Sequence, residues 1–242
     1  MATKQPSNSE DTNVSNSSGW EPSKNMYCQT RLDIPKNTCQ TLVLILFNQA
    51  ENYHGAFRNE MIINTPIFRA YGHGEFLGIS KCLRCIDGCF PSNTGVSVLS
   101  FDNYEEAVKC LESKTEIREL NWMGNPEMYF VPLCNPIRHL SDFQFLQMDI
   151  YDIKNGVNFV KYINTVENLV QKNGGLVIAG TTETGKFRGM RRPMYMVLQQ
   201  WQTIQQVEQF NSEISPILRD AGAACSTRVV FEMDAYCCAC IR

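Results

Sequence analysis

The 242-residue chain carries 22 Lys and Arg against 25 Asp and Glu, with 11 Cys and three His, for a net charge of −3 and a pI near 5.7. This balance lacks the basic footprint of a general nucleic-acid binder, and no apolar run reaches the ~18–20 residues of a membrane helix. The opening MATKQPSNSEDTNVSNSSG has no apolar signal-peptide core, so the sequence predicts a cytoplasmic protein whose cysteines are thiols rather than a disulfide framework.

Residues 1–38 read as a disordered polar tail. Val14, Trp20, Met26 and Tyr27 are scattered in it, too little apolar surface to offset its ordering entropy. Ser7, Ser9, Ser15, Ser17 and Ser18 offer a second reading, a partner-binding or phosphorylated segment. From Thr41 the pattern is regular. Residues 41–47 are an apolar run of strand length. Residues 52–71 read as mainly helical, 75–79 as a short strand after a glycine turn, and 95–101 as an alternating strand. Asp102 or Asn103 caps a helix bearing Tyr104, Ala107, Val108 and Leu111 on one stripe. Residues 127–133 close the unit as a strand.

The same βαββαβ order then repeats. Residues 143–150 read as a strand, and Val157, Val160, Ile163, Val166, Leu169 and Val170 mark a helix. Residues 174–180 form a glycine turn and strand, 195–201 the next strand, 203–210 the next helix and 228–233 the last strand. Ile63-Asn64-Thr65 matches Ile163-Asn164-Thr165, Gly74 matches Gly174, and Phe101 matches Trp201, each at an offset of 100. A constant offset marks a duplicated unit. It divides the chain into a first unit at 39–134, a second at 143–235, a connection at 134–142 and a Cys-rich tail at 236–242.

βαββαβ is the ferredoxin-like arrangement, an antiparallel sheet with two helices on one face. The helix around Pro66, the Gly72-His73-Gly74 turn and the strand Glu75-Phe-Leu-Gly78 resemble the helix, glycine turn and strand of the DUF1330 family, in the dimeric α+β barrel superfamily. Lys172-Asn-Gly-Gly175 before Leu176-Val-Ile-Ala-Gly180 resembles it too. So do Phe101-Asp-Asn-Tyr-Glu-Glu-Ala107 and Trp201-Gln-Thr-Ile-Gln-Gln-Val207. Gly78-Ile79 and Ala179-Gly180 stand where that family often has Arg. The resemblance implies an α+β fold, with two ferredoxin-like βαββαβ units forming an intramolecular dimeric α+β barrel. Most members of the superfamily pair two chains, so two units in one chain imply a monomeric pseudo-dimer. Members include cofactor-independent monooxygenases, isomerases and haem enzymes. The tandem haem enzymes place a proximal His in their second unit, and this second unit has none; no cofactor is therefore expected.

Several motifs remain. Gly180-Thr-Thr-Glu-Thr-Gly185-Lys186 fits seven positions of a P-loop, but Phe187 stands where Ser or Thr must hold Mg²⁺; it reads as a loop. Cys82, Cys85 and Cys89 are spaced like zinc ligands in a loop but lack a local fourth. Cys237, Cys238 and Cys240 could supply one from the tail, although free thiols are the simpler expectation. His54 and His73 are the candidate bases. Lys186, Arg188, Arg191 and Arg192 form a basic cluster, in which Arg191 and Arg192 are candidate ligands for a carboxylate. Trp201, Phe101, Tyr195, Trp122 and Tyr129 are expected in the core.

These readings point to binding of a small apolar or carboxylate-bearing molecule. The alternatives are a cofactor-independent monooxygenase or isomerase using His54 or His73, and a protein-interaction scaffold. Sheet–helix interfaces filled by aromatic side chains in both units would favour the scaffold.

Overall fold

A computed structural model describes residues 40–49, 53–113, 126–188, 193–220 and 223–236. The predicted tail at 1–38, Trp122, Arg191, Arg192, Cys237, Cys238 and Cys240 lie outside the described residues. The elements of the first half are β1 (Thr41–Asn48), α1 (Tyr53–Ile63), α2 (Thr65–Arg69), β2 (Glu75–Gly88), β3 (Thr94–Phe101), α3 (Tyr104–Glu112) and β4 (Glu127–Pro132). Those of the second are β5 (Phe145–Ile153), α4 (Gly156–Lys172), β6 (Leu176–Thr181), β7 (Gly185–Arg188), β8 (Tyr195–Trp201), α5 (Ile204–Asp220) and β9 (Ala223–Ala235).

Every strand pairing is antiparallel. The first half is ordered β2-β3-β1-β4 and the second β6-β8-β5-β9, which is the ferredoxin-like order in each case. β2 and β9 then pair with each other and join the halves into one sheet. At the other end β4 pairs with β7, which follows β6 in the chain. There the Cys134 amide donates to the Ile178 carbonyl at 2.9 Å. The sheet thus curls into a near-closed α+β barrel with helices outside.

β1 is buried on both faces because each face has its own core. Leu42, Leu44 and Leu46 point into the barrel with Val96, Val98, Leu146, Met148, Leu198, Val229 and Phe231. Val43, Ile45 and Phe47 pack outward with Phe57, Met61, Phe68, Ala107 and Leu111 of the helices. The second half repeats this layering with Tyr151, Phe159, Ile163, Val166, Val207 and Phe210. The expected core residues Phe101, Tyr129, Tyr195 and Trp201 are all buried.

Of the two candidate caps, Asn103 is the one that acts, accepting from the Glu106 amide at 3.0 Å. Thr203 and Gln206 form a reciprocal capping box on α5.

Four expectations change. β2 is 14 residues long, not five, so Cys82 and Cys85 sit on a strand rather than in a loop. Its second part pairs with β9 of the other half, and bulges after Ser80 and Cys85 break the alternation that would reveal it. α5 runs on past Phe210 through Pro216, because Ile214 and Leu218 still reach the core. Asn64 joins α1 to α2 whereas Asn164 lies within α4, so those triplets are not equivalent. Nor is the offset constant at the turn. Gly74 lies against the Phe101 ring, but it is Gly175 that lies against Trp201. Gly174, at φ +79°, corresponds instead to His73, at φ +48°.

Candidate functional site

Strand pairing aligns the two halves position by position. Thr41 lies opposite Phe101 as Phe145 lies opposite Trp201, and Ile45 lies opposite Met128 as Asp149 lies opposite Arg228. The same pairing places Gln147 where the first half has Val43, Gln199 where it has Leu99 and Tyr151 where it has Phe47. The helix-facing side is therefore apolar apart from Ser97 in the first half and polar at its centre in the second.

That centre is a connected network. Arg228 Nε lies 3.4 Å from Asp149 Oδ1, and both side chains are within 1 % of complete burial. Asp149 also accepts from Gln147 Nε2 at 2.9 Å, from the Tyr151 hydroxyl at 2.9 Å and from Gln199 Nε2 at 3.2 Å. Tyr151 and Tyr162 bring their hydroxyls to 3.0 Å. Asn211 on α5 donates to Gln147 Oε1 at 3.1 Å and to its own helix at the Val207 carbonyl. Taking two charges out of water costs several kcal/mol per ion, and a buried pair only roughly recovers it. Apolar residues fill the same places in the first half, so the fold does not require the network. It combines one ion pair, several amides and two phenols under α4 and α5.

The first-half interface is filled by Phe47, Phe57, Phe68, Phe76, Phe101 and Phe130, which counts against a ligand there. The second-half interface carries Tyr151, Phe159, Tyr162, Tyr195, Trp201 and Phe210 around its polar centre. Two open clefts lie elsewhere. One of about 270 Å³ includes Phe47, Phe90 and Glu127; the other, about 200 Å³, includes Arg138, His139 and Tyr236. Both fall below the ~300–1,000 Å³ of ligand pockets.

The sequence-predicted residues are not brought together. His54 Nε2 lies 2.9 Å from the Ser80 carbonyl at the half-buried edge of α1. His73 is exposed in its turn and bonds Asp102 through Nδ1 at 2.6 Å. That hydrogen bond, with the Asp102 charge behind it, raises the His73 pKa above its usual value. The pair therefore stabilises the fold below the ordinary imidazole pKa, and its contribution is lost as pH rises through the higher folded value. Asp102→Asn should return the His73 titration, followed by NMR, to near 6.5.

Cys82, Cys85 and Cys89 are exposed free thiols. Cys82 lies 3.5 Å from Glu232 Oε2, while Cys85 faces the carbonyls of Asp87 and Gly88. Among the described residues no group of three His, Cys, Asp or Glu is placed to hold a metal ion. Partial burial and then Glu232 raise the Cys82 pKa, which disfavours its thiolate. Glu232→Gln should speed alkylation of Cys82 at neutral pH, read by mass spectrometry, and leave Cys89 unchanged. Burial pushes the Cys110 thiol up to about 12. The P-loop-like segment leads into the strand β7, not a helix, so the amide cradle of a phosphate site does not form.

No protein-family profile matches the chain, and no curated protein sequence matches it significantly. Solved structures match in fold. An anthrone oxidase-like protein gives a TM-score of 0.52 at 10 % identity, over 82 % of this chain and 92 % of its own. A haem-binding protein from Thermus thermophilus gives 0.51 at 8 % identity, over 83 % and 94 %. A chlorite dismutase-like protein gives 0.51 at 10 % identity, over 81 % and 95 %. Likeness at this identity establishes architecture alone, and the architecture is the dimeric α+β barrel. The second half contains no histidine, so its residues do not fit an imidazole-ligated haem.

Among the described residues, no helix is long and apolar enough to cross a membrane.

Proposed function

We propose that this chain is a small-molecule-binding α+β barrel protein whose site is the sheet–helix interface of the second half. The buried Asp149–Arg228 pair and its amide and tyrosine partners carry the reading, because they replace Ile45, Met128, Val43 and Leu99 of an otherwise similar half. Ligand sites combine mostly apolar walls with a few placed polar groups, and this interface has both. In this reading residues 39–134 and 143–235 are duplicated DUF1330-like units that act as a monomeric pseudo-dimer in the cytoplasm. Gly74 under Phe101 and Gly175 under Trp201 support the duplication. Arg191 and Arg192, which lie outside the described residues, are the proposed partners for the acid of a carboxylate-bearing ligand. The scaffold reading is second, favoured by the aromatic filling of both interfaces.

The test is a thermal-shift screen of small aromatic, aliphatic and carboxylate-bearing molecules. Hits should stabilise the protein saturably and lose their effect in Gln147→Val/Asp149→Ile/Gln199→Leu/Arg228→Met. Hits indifferent to those four changes, or no hits, leave the scaffold. Light scattering should return the monomer mass of 27.6 kDa.

A further inference from the structure

Two buried polar atoms stand out on β8 of the second half. Gln199 Oε1 and Trp201 Nε1 have no hydrogen-bond partner among the described residues, and both residues are fully buried. They lie two apart on β8, on the same side of the strand and about 7 Å apart at Cα. The Gln199 amide is oriented by its own bond to Asp149, which takes Nε2 and leaves the oxygen open. The indole is oriented by Gly175, whose missing side chain admits the Cε3–Cζ3 edge; a Cβ there would lie 2.5 Å from it. That edge is remote from Nε1. Phe210 covers the indole at 5.1 Å between ring centres. Leaving a buried donor or acceptor unmade carries the full desolvation penalty of that group. The first half has Leu99 and Phe101 in these places and incurs neither cost.

We infer that the second half binds a compact neutral amide or lactam between Trp201 Nε1 and Gln199 Oε1. The inference rests on the reading that this interface is the binding site, and it specifies the chemical class. The indole donates to the guest's carbonyl, and the guest's N–H donates to the glutamine oxygen. A carboxylate fits poorly: it has no proton for Gln199, and it would add a second negative charge beside Asp149, whose charge Arg228 already balances. Burying an unbalanced charge is far costlier than burying an amide.

The experiment follows the indole N–H signals of the ¹⁵N-labelled full chain during titration with acetamide and, separately, with acetate. The signal missing from Trp201→Phe belongs to Trp201. It should move saturably with acetamide and stay still with acetate. Gln199→Leu should weaken the response about tenfold, the loss of one hydrogen bond. Trp201→Phe, which introduces the residue type found at the corresponding Phe101, serves as a second variant, in which the remaining indole signals ignore acetamide. An unmoved Trp201 signal, a response unchanged in Gln199→Leu, or a single trapped water with no amide response overturns the inference. Movement with acetate alone overturns the amide and leaves the binding site standing. Silence to both, with no hits in the ligand screen, removes both.

Discussion

Arg228→Met should lower the unfolding free energy by about 3–5 kcal/mol, because it strands the Asp149 carboxylate without its counter-charge. Asp149→Ile should cost a similar amount by stranding the guanidinium. Both side chains are within 1 % of full burial, so water cannot take the place of either partner. The informative variant removes the ion pair together with both glutamines. Gln147→Val/Asp149→Ile/Gln199→Leu/Arg228→Met gives the second half the residues that already pack at those places in the first. It should recover most or all of the loss, since well-packed apolar replacements of buried ion pairs are often neutral or stabilising. Urea unfolding of the three variants decides the matter. A quadruple variant as unstable as the singles would mean that the network holds the second half together and that the two halves are not interchangeable.

Gly74→Ala should destabilise by about 3 kcal/mol, at the upper end of overpacking. The new methyl would collide with the Phe101 ring and with the backbone carbonyl of Phe68, and that α2 carbonyl, held by the Tyr71 amide, cannot yield as a side chain can. Gly55→Ala is the control. It lies on α1 with nothing within 4 Å of the added carbon, so it should gain about 0.5–1 kcal/mol from the better helix former. Thermal unfolding separates the two. Equal effects would show that the glycine turn is softer than its contacts indicate.

Much of this architecture was legible because hydrophobic period and turn chemistry agree in it. The run at Thr41, the stripe from Tyr104 to Leu111 and the glycine turns each point to one local structure, and their repetition points to the fold. The long strands β2 and β9 were less legible, since their length comes from pairing with each other across the halves. Lys81 to Asp87 mixes charges, thiols and single apolar residues, and two bulges disturb its alternation. The polar centre was missed for a different reason. Gln147, Asp149 and Tyr151 alternate with Leu146, Met148 and Ile150, which reads as an ordinary strand with one face in water. In this barrel that face lies under α4 and α5. Arg228 is remote from Asp149 in sequence, and only the β5–β9 register brings them together. The usable signal was the comparison of corresponding strands: a polar residue in one half where the other has Ile or Met. His54 and His73 drew attention as residue types, but the chain uses both for local bonds to Ser80 and Asp102.

The pairing of β2 with β9 also bears on how the molecule comes apart. Each half lends the other a strand edge, and the barrel core draws side chains from both. Neither half can open alone without baring the edge of β2 from Gly78 to Gly88 or of β9 from Thr227 to Ala235, and half of a shared apolar interior. Two halves joined in this way should melt as one cooperative unit. Severing the connection at 134–142 would nick the polypeptide without yielding two independent folds.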